Sequence, residues 1–360
     1  MDTMLDFTQP CKDNSDLTSV KWIHGSISAK HNTDPDIQIH YHNDHTVILR
    51  QNMAVHYEAP FLFLLFGTQR AILLDTGATL SPSYFPLRQT VDELINKWLE
   101  KHHPAARDTD DPPYELVIAH THLHRDHYEG DAQFENRPHT KFVEKTLEGT
   151  KSFYKFQNWP DDIPTYDLGG GRILHILATP GHEDAEVTIY DKYSQILFTG
   201  DLILPGRLYI RDWDAFISSL HRIKKFCESQ SQTSDESSAE VAVVKYLVGC
   251  HIEMSIYPGE DYLIRTNYQP HEAPLPMTMK QLDDIINAAT SIDGKAGWHR
   301  FDDFLIVFPV PGRYFAYENM DDDAMAGDVC QTCRLDREKK KKEAGICSFL
   351  SPPEKQQKLE

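Results

Sequence analysis

Short apolar runs separated by polar turns recur along the chain and predict β-strands. Several of them end in a turn residue, as the run at 71–74 does before Gly77. Strands are predicted at 47–51, 61–66, 71–74, 116–119, 173–178, 187–190, 196–199, 246–248, 304–308 and 314–317.

Helical periodicity marks three segments between these runs. Apolar residues recur at helical spacing over 90–102 and predict an amphipathic helix there, and further helices are predicted at 214–227 and 279–289. The segment 228–240 is rich in Ser, Gln and Glu and poor in apolar residues, so we expect a mobile surface insertion.

The chain divides into three regions by composition. Residues 1–35 are polar and weakly periodic, and we expect an N-terminal leader that wraps the domain edge. Residues 36–320 carry the strand and helix patterns of one folded domain, and 321–360 are predicted to be a disordered tail. The tail supplies three thiols, Cys330, Cys333 and Cys347, whereas a closed structural zinc site takes four ligands.

Composition and charge limit the partners. Hydrophobic content of 40% and charged content of 25% are typical of a globular protein, and 55 acidic against 36 basic residues argue against a nucleic-acid-binding surface. No apolar run approaches the roughly 20 residues that cross a bilayer, and no signal peptide is evident. We expect a cytoplasmic protein with reduced cysteines and a small-molecule substrate, and leave open whether it forms a homodimer.

The densest group of candidate ligands follows the predicted strand 116–119. It contains His122, His124, Asp126 and His127. Imidazole and carboxylate are ligands that zinc and related divalent ions prefer. In a loop, alternate residues His122 and His124 can converge on one ion, and Asp126 and His127, one turn further on, can hold a second. Two ions about 3.5–4 Å apart would share an activated water.

The same letter pattern occurs once more, at His40, His42, Asp44 and His45. This copy lies near the N-terminus and leads directly into the alternating residues 46–50. We therefore interpret it as a polar turn that feeds a strand and binds no metal.

Three later candidates share one local pattern, in which a predicted strand and a glycine precede the ligand. They are His182, Asp201 and His251. Glycine permits a backbone turn that a Cβ would hinder, so each side chain can lie at a strand mouth. Asp75 follows the strand 71–74 in a similar way, while Cys250 is interpreted as a small core residue.

Seven ligands and one supporting aspartate in a fixed order resemble the metallo-β-lactamase superfamily over roughly residues 40–275. The resemblance implies an α+β fold, a four-layer αβ/βα sandwich with two mixed sheets face to face, helices outside and a metal pair at one sheet edge. It implies that one ion is held by His122, His124 and His182. It implies that the other is held by Asp126, His127 and His251. Asp201 would bridge both ions, and Asp75 would support the ligand loop without touching metal.

The resemblance also implies a reaction. Two divalent ions, zinc in the first place and iron or manganese as alternatives, would activate water that cleaves a thioester, ester or lactone. Asp126 would act as general base and then as general acid. Retention of both His127 and Asp201 favours the glyoxalase II and lactonase branch. Leu204, however, stands where well-known acyl-homoserine lactonases carry a tyrosine, and no basic glutathione-binding motif is evident after His251.

The segment 205–213 is predicted to form part of the pocket rim. Arg207 or Arg211 would bind a substrate carboxylate, and Tyr209 would donate to an oxyanion. The alternative is a structural loop with solvated arginines. Aromatic and histidine side chains are candidates for the opposite wall, at Tyr257, Tyr262, Tyr268 and His271.

Two other functions stay open at this point. A mononuclear iron dioxygenase that acts on glutathione persulfide would need only two histidines and the aspartate, and the complete second ligand set argues against it. A catalytically silent binding protein on the same fold is the other alternative, and the intact ligands argue against that.

Overall fold

The computed structural model describes residues 5–102, 113–232 and 243–309. One six-stranded sheet is formed by the first six strands, side by side in chain order. They are β1 (Ile37–Asn43), β2 (Thr46–Gln51), β3 (Phe61–Phe66), β4 (Arg70–Leu74), β5 (Glu115–Ala119) and β6 (Thr140–Phe142). Pairs from β1 to β4 are antiparallel, whereas β5 is parallel to both β4 and β6.

A second six-stranded sheet is built from later parts of the chain. Its strands are β7 (Thr165–Asp167), β8 (Ile173–Ala178), β9 (Val187–Asp191), β10 (Ile196–Gly200), β12 (Tyr246–Gly249) and β13 (Pro276–Met277). Their order is β13-β12-β10-β9-β8-β7, and β10 and β12 are parallel. A small third sheet has the order β11-β15-β14, from β11 (Arg207–Tyr209), β14 (Gly297–Arg300) and β15 (Leu305–Phe308).

Five α-helices lie within the described residues, and two of them begin at capping residues. They are α1 (Leu87–His102), α2 (Arg125–Tyr128), α3 (Leu147–Tyr154), α4 (Trp213–Gln232) and α5 (Met279–Ile292). Thr146 caps α3 by accepting from the Gly149 amide, and Thr278 with Gln281 forms a capping box at α5. None of the described helices has the length and apolar content that a membrane crossing requires.

Alternation along β3 shows how the layers are stacked. Phe63 and Leu65 lie in the core between the two large sheets, where the Phe63 ring is 4.6 Å from that of Phe198 on β10. Leu62 and Leu64 point the other way and pack with α1. This period of two is that of a strand buried on both faces.

The outer face of the second sheet is covered in the same way. Leu197 of β10 shares a core with Phe216 of α4 and Ile285 of α5. The layers are therefore helix, sheet, sheet and helices, and the predicted four-layer αβ/βα sandwich is confirmed.

Two local predictions differ from the structure. Residues 228–232 of the predicted insertion continue α4, because a helix packed on the core through Phe226 and Cys227 extends over the polar residues that follow. The turn predicted at His40–His45 is shorter in the structure: Asp44 and His45 form a turn that leads into β2, whereas His40 and His42 lie within β1, which pairs with β2. The remaining insertion residues 233–240, the strand at 314–317 and the tail cysteines lie outside the described residues.

The N-terminal residues contribute to the packed domain. Phe7 lies in the core beside α1, and Leu17 and Trp22 lie in the core between the sheets. The segment predicted as a leader therefore buries apolar side chains from residue 7 onward.

Candidate metal centre

Strand ends from both large sheets meet at one edge of the sandwich. The segment after β5 carries His122, His124 and the short helix α2, which contains Asp126 and His127. The second sheet contributes residues that follow β8, β10 and β12, namely His182, Asp201 and His251. All seven predicted ligands therefore come together, as two adjacent groups of possible metal-binding atoms.

Three histidines form the first group. The Nδ1 atom of His124 lies 2.9 Å from Nε2 of His122 and 2.9 Å from Nε2 of His182. Nδ1 of His182 donates to the Tyr209 carbonyl at 2.7 Å, which leaves an unprotonated lone pair on Nε2. Three converging imidazole nitrogens, with the proton of His182 on its other nitrogen, match the nitrogen ligands of a zinc ion.

Asp126, His127, Asp201 and His251 form the second group. Nε2 of His251 is 3.3 Å from Oδ2 of Asp126 and 3.4 Å from Nε2 of His127. Nδ1 of His251 donates to the Glu58 carbonyl at 2.9 Å. This contact directs the other ring nitrogen into the site, as partners of metal-binding histidines do.

One oxygen of Asp201 lies between the two groups. Its Oδ2 atom is 3.8 Å from Nε2 of His122 and 3.9 Å from Nε2 of His182. The same atom is 3.5 Å from Nε2 of His127 and 3.6 Å from Nε2 of His251. A single carboxylate oxygen thus faces both ligand groups.

Asp75 lies behind the ligands and holds them. It is fully buried and has a φ of 65°. Its Oδ1 accepts from the Thr121 amide at 2.8 Å, and its Oδ2 accepts from Thr121 Oγ1 at 2.9 Å, His127 Nδ1 at 3.0 Å and Cys250 Sγ at 3.3 Å. Four donors on one carboxylate account for the proximity of Asp75, His127 and Cys250 without a third ion.

Burial and charge set the protonation of the two groups differently. Burial and the neighbouring imidazoles lower the pKa of His122 well below its usual range, and burial lowers the pKa of His124 to about 3. Burial opposes the charged form of His251 too, but the Asp201 and Asp126 carboxylates raise its pKa to about 10. In the second group, a cation therefore has to displace a proton.

The donor set fits divalent metal ions. The buried Oδ1 atoms of Asp126 and Asp201 have no hydrogen-bond partner, so each offers free lone pairs inside the site. Histidine nitrogen with carboxylate oxygen is the chemistry of zinc, iron and manganese sites.

Gly200 allows the bridging carboxylate to reach its position. Its φ is 56°, and a Cβ there would lie 2.9 Å from Oε1 of Glu186 and 3.2 Å from Cβ of Thr121. The same Glu186 oxygen accepts from the Asp201 amide at 3.1 Å. The close packing explains why a glycine precedes Asp201.

A family model agrees with this geometry. The model of the metallo-β-lactamase superfamily matches residues 60–229, which include six of the seven ligands. Residues 60–229 therefore form a metallo-β-lactamase superfamily domain. The seventh predicted ligand, His251, lies after the matched residues and reaches the site through β12.

One relative of this chain is a thioesterase. The chain is 24% identical, over an alignment of 181 residues, to the acyl-coenzyme A thioesterase MBLAC2 of Homo sapiens. The match covers 42% of this chain and 60% of the human protein, so the chain spans about three fifths of that relative's length.

Solved structures of the superfamily resemble the chain at lower identity. The TMB-1 structure is 14% identical, with a TM-score of 0.44, and the match covers 72% of this chain and all of that one. A metallo-β-lactamase from Pontibacter korlensis is 17% identical, with a TM-score of 0.38, and covers 60% of this chain and 91% of its own. The fold assignment rests on the layer order described above.

The predicted substrate residues lie in different surroundings. Arg207 is buried, its guanidinium contacting Glu253 Oε1 at 2.6 Å and Asp261 Oδ2 at 2.7 Å. These ion pairs favour a structural role for Arg207, although its guanidinium is buried and not solvated as the structural alternative expected. Arg211 is partly exposed, 3.9 Å from Asp184. Tyr209 lies near the first group through its carbonyl, and its ring faces Trp298.

The predicted opposite wall lies on the segment after His251. The Tyr257 ring packs edge-on against His271, whose amide donates to the Tyr262 hydroxyl at 2.7 Å. Tyr268 pairs with Gly25 in an isolated bridge. These contacts order the segment, and its contribution to substrate binding stays a prediction.

The loop between β2 and β3 adds residues that the sequence did not indicate. Glu58 holds His251 through its carbonyl, and burial with the nearby Asp126 carboxylate raises the pKa of its side chain to about 8. Burial lowers the pKa of His56, which also lies close to Asp126 and His251. A backbone contact leaves no residue pattern, and neither side chain belongs to a recognisable motif.

The histidines of the second pattern copy make other contacts. His42 lies 3.1 Å from Ser15 Oγ through Nδ1 and 3.2 Å from the Ser194 carbonyl through Nε2. Nδ1 of His45 accepts from the Trp98 indole at 3.0 Å. These contacts hold the β1–β2 hairpin to its neighbours.

Proposed function

We propose that the chain is a dinuclear metal-dependent hydrolase that cleaves a thioester, with esters and lactones as the alternative substrate classes. The observation that carries the proposal is the position of Asp201 Oδ2, 3.5–3.9 Å from histidine nitrogens of both ligand groups. A site for one ion would not need a carboxylate that faces two sets of imidazoles.

The side chains divide the work. When bound, the ions would polarise the substrate carbonyl and lower the pKa of a water between them. Asp126 offers its unpartnered Oδ1 to take a proton from that water. As the C–O bond forms and the C–S bond breaks, Asp126 would pass this proton to the leaving sulfur. The protein needs no nucleophilic serine or cysteine for this reaction, and Cys250 is fully buried.

Two features support a thioester over the other classes. The human relative is an acyl-coenzyme A thioesterase. Leu204, at the position of the lactonase tyrosine, is buried in the core with α4 and supplies no donor. A thiolate is also a better leaving group than an alkoxide, so cleavage depends less on an additional phenol.

The proposal is tested on the purified full chain. Metal content is measured by mass spectrometry, and hydrolysis is measured on acyl-CoA thioesters, lactones, phosphodiesters and β-lactams, with Asp201→Asn as the matched variant. We expect two ions per chain and release of free thiol, both reduced by Asp201→Asn. A single iron with oxygen consumption would replace the hydrolase by a dioxygenase. Absence of metal and of turnover on every substrate would leave a binding protein.

A further inference from the structure

Asp131 closes the loop that carries four of the ligands. It lies just after α2 and is 7% exposed. Its Oδ1 accepts from Thr76 Oγ1 at 2.8 Å and from Nε2 of His120 at 2.9 Å, and its Oδ2 accepts from Lys145 Nζ at 2.8 Å. His120 and Asp131 are the two ends of the segment that contains His122, His124, Asp126 and His127, so their contact ties the segment at its base.

Thr76 links this carboxylate to a ligand. Its amide donates to the His127 carbonyl at 2.7 Å, while its hydroxyl donates to Asp131. Gly130 makes the close approach possible, because a Cβ there would lie 2.3 Å from the Thr76 carbonyl oxygen. Asp75 holds the side chain of His127, and Thr76 holds its backbone.

We propose that Asp131 is a positioning residue for the second metal ion. The loop from His120 to Asp131 contains only the four-residue helix α2 and a short 3-10 segment, Glu129–Gln133, so its own hydrogen bonds hold it weakly. The contacts of Asp131 fix both ends of the loop and, through Thr76, the backbone of His127. The inference rests on the proposed dinuclear site.

The effect should differ between the two ligand groups. His127 and Asp126 lie on the part of the loop nearest Asp131 and belong to the second group. His122 is held separately, since the preceding residue Thr121 is bonded to Asp75. Loss of Asp131 is therefore expected to weaken the second ion and to spare the first.

The test uses the full chain stripped of metal and titrated with zinc against a chelating dye. For Asp131→Ala we expect the second zinc to bind about 10-fold more weakly, with the first unchanged, because Asp131 acts on His127 through Thr76 and the lower end of the effect of direct partners of metal ligands applies. Asp131→Asn keeps an acceptor for Thr76 and should recover part of the loss. Lys145→Met removes the partly exposed ion pair and the contact of the ammonium with the Tyr128 ring, and should bind both ions as wild type does.

A second buried aspartate separates positioning from general stability. Asp191 is the last residue of β9, at the strand end opposite the site. It forms an ion pair with Arg172, and both side chains are buried. Asp191→Asn should lower the melting temperature without changing zinc affinity. The positioning role is wrong if Asp131→Ala binds both ions normally while wild type binds two. It is also wrong if Asp191→Asn, for an equal fall in melting temperature, loses affinity for the second zinc as much as Asp131→Ala does. If wild type itself binds fewer than two ions, the proposed dinuclear site fails instead.

Discussion

Replacement of Asp75 by asparagine tests the most heavily used carboxylate in the structure. The amide oxygen must face the Thr121 backbone amide, which can only donate, so the amide nitrogen takes the place of Oδ2. There it meets three further donors, from Thr121 Oγ1, His127 Nδ1 and Cys250 Sγ. Asp75→Asn therefore turns an acceptor into a donor at the centre of the network.

The substitution should change the tautomer of His127. An amide donor opposite Nδ1 makes this nitrogen the acceptor, so the proton moves to Nε2, which faces Asp126 and Asp201. Protonated Nε2 no longer binds metal. We expect the second zinc to bind about 10–100-fold more weakly, which is about 1.4–2.7 kcal/mol, while His122, His124 and His182 keep the first.

Folding should weaken as well. The hydrogen bonds from Thr121 Oγ1 and His127 Nδ1 to a buried charged acceptor are lost, at about 1.5–3 kcal/mol each, and the third, from Cys250 Sγ, is weak. The unfolding free energy should therefore fall by about 3–6 kcal/mol. The assays are zinc titration, urea unfolding and NMR of the histidine ring nitrogens. Cys250→Ala is the control, because it removes one weak donor and leaves the carboxylate. The reasoning is refuted if Asp75→Asn binds both ions with wild-type affinity, or if His127 keeps its proton on Nδ1.

Three further predictions concern the ligands, the pH dependence and a buried arginine. His122→Ala should abolish zinc binding and turnover without unfolding the domain, whereas His42→Ala should change neither; equal behaviour of the two variants would mean that the two pattern copies were assigned wrongly. The pKa of His251 is raised to about 10, so its ring carries protons on both nitrogens below that pH. Zinc binding at pH 8 should therefore release one of these protons, and zinc affinity should fall as the pH is lowered further. Calorimetry in buffers of different ionisation enthalpy measures the release, and a heat independent of the buffer contradicts it. Arg207→Ala should lower the unfolding free energy by about 3 kcal/mol, because the partly buried Glu253 and Asp261 lose a cation and Asp261 retains its pair with Arg300. Arg211→Ala should lower it by less than about 1 kcal/mol. A raised KM with unchanged stability in Arg207→Ala would instead support the substrate contact.

The central strands could be predicted from the sequence because their hydrophobic patterns are set by burial on both faces. The strands at 61–66 and 173–178 have the predicted bounds, and helix α5 begins at the predicted residue, just after its Thr278 cap. Strands β7 and β13 were missed, since they have only three and two residues and no periodicity to read. Their strand conformation depends on pairing with β8 and β12.

The ligand set could be predicted from the sequence for a similar reason. The predicted ligands follow strand ends, three of them close to a glycine, and residue type at such positions reflects chemistry more than packing. The role of Arg207 could not be predicted, because its partners Glu253 and Asp261 are more than 40 residues away in the sequence. The contact of the Glu58 carbonyl with His251 could not be predicted either, because any residue type supplies the same backbone oxygen.

The origin of the ligands in both sheets has a mechanical consequence. Four of them follow β5 of the first sheet, and three follow strands of the second. Cations bound by these residues would link the two sheets along one edge of the sandwich, which we call the seam. Saturating zinc at about 100 times its dissociation constant would add about 2.7 kcal/mol to the unfolding free energy. Chelation should then open the molecule first along this seam, where hydrogen exchange of the residues flanking β5 and β10 would report it.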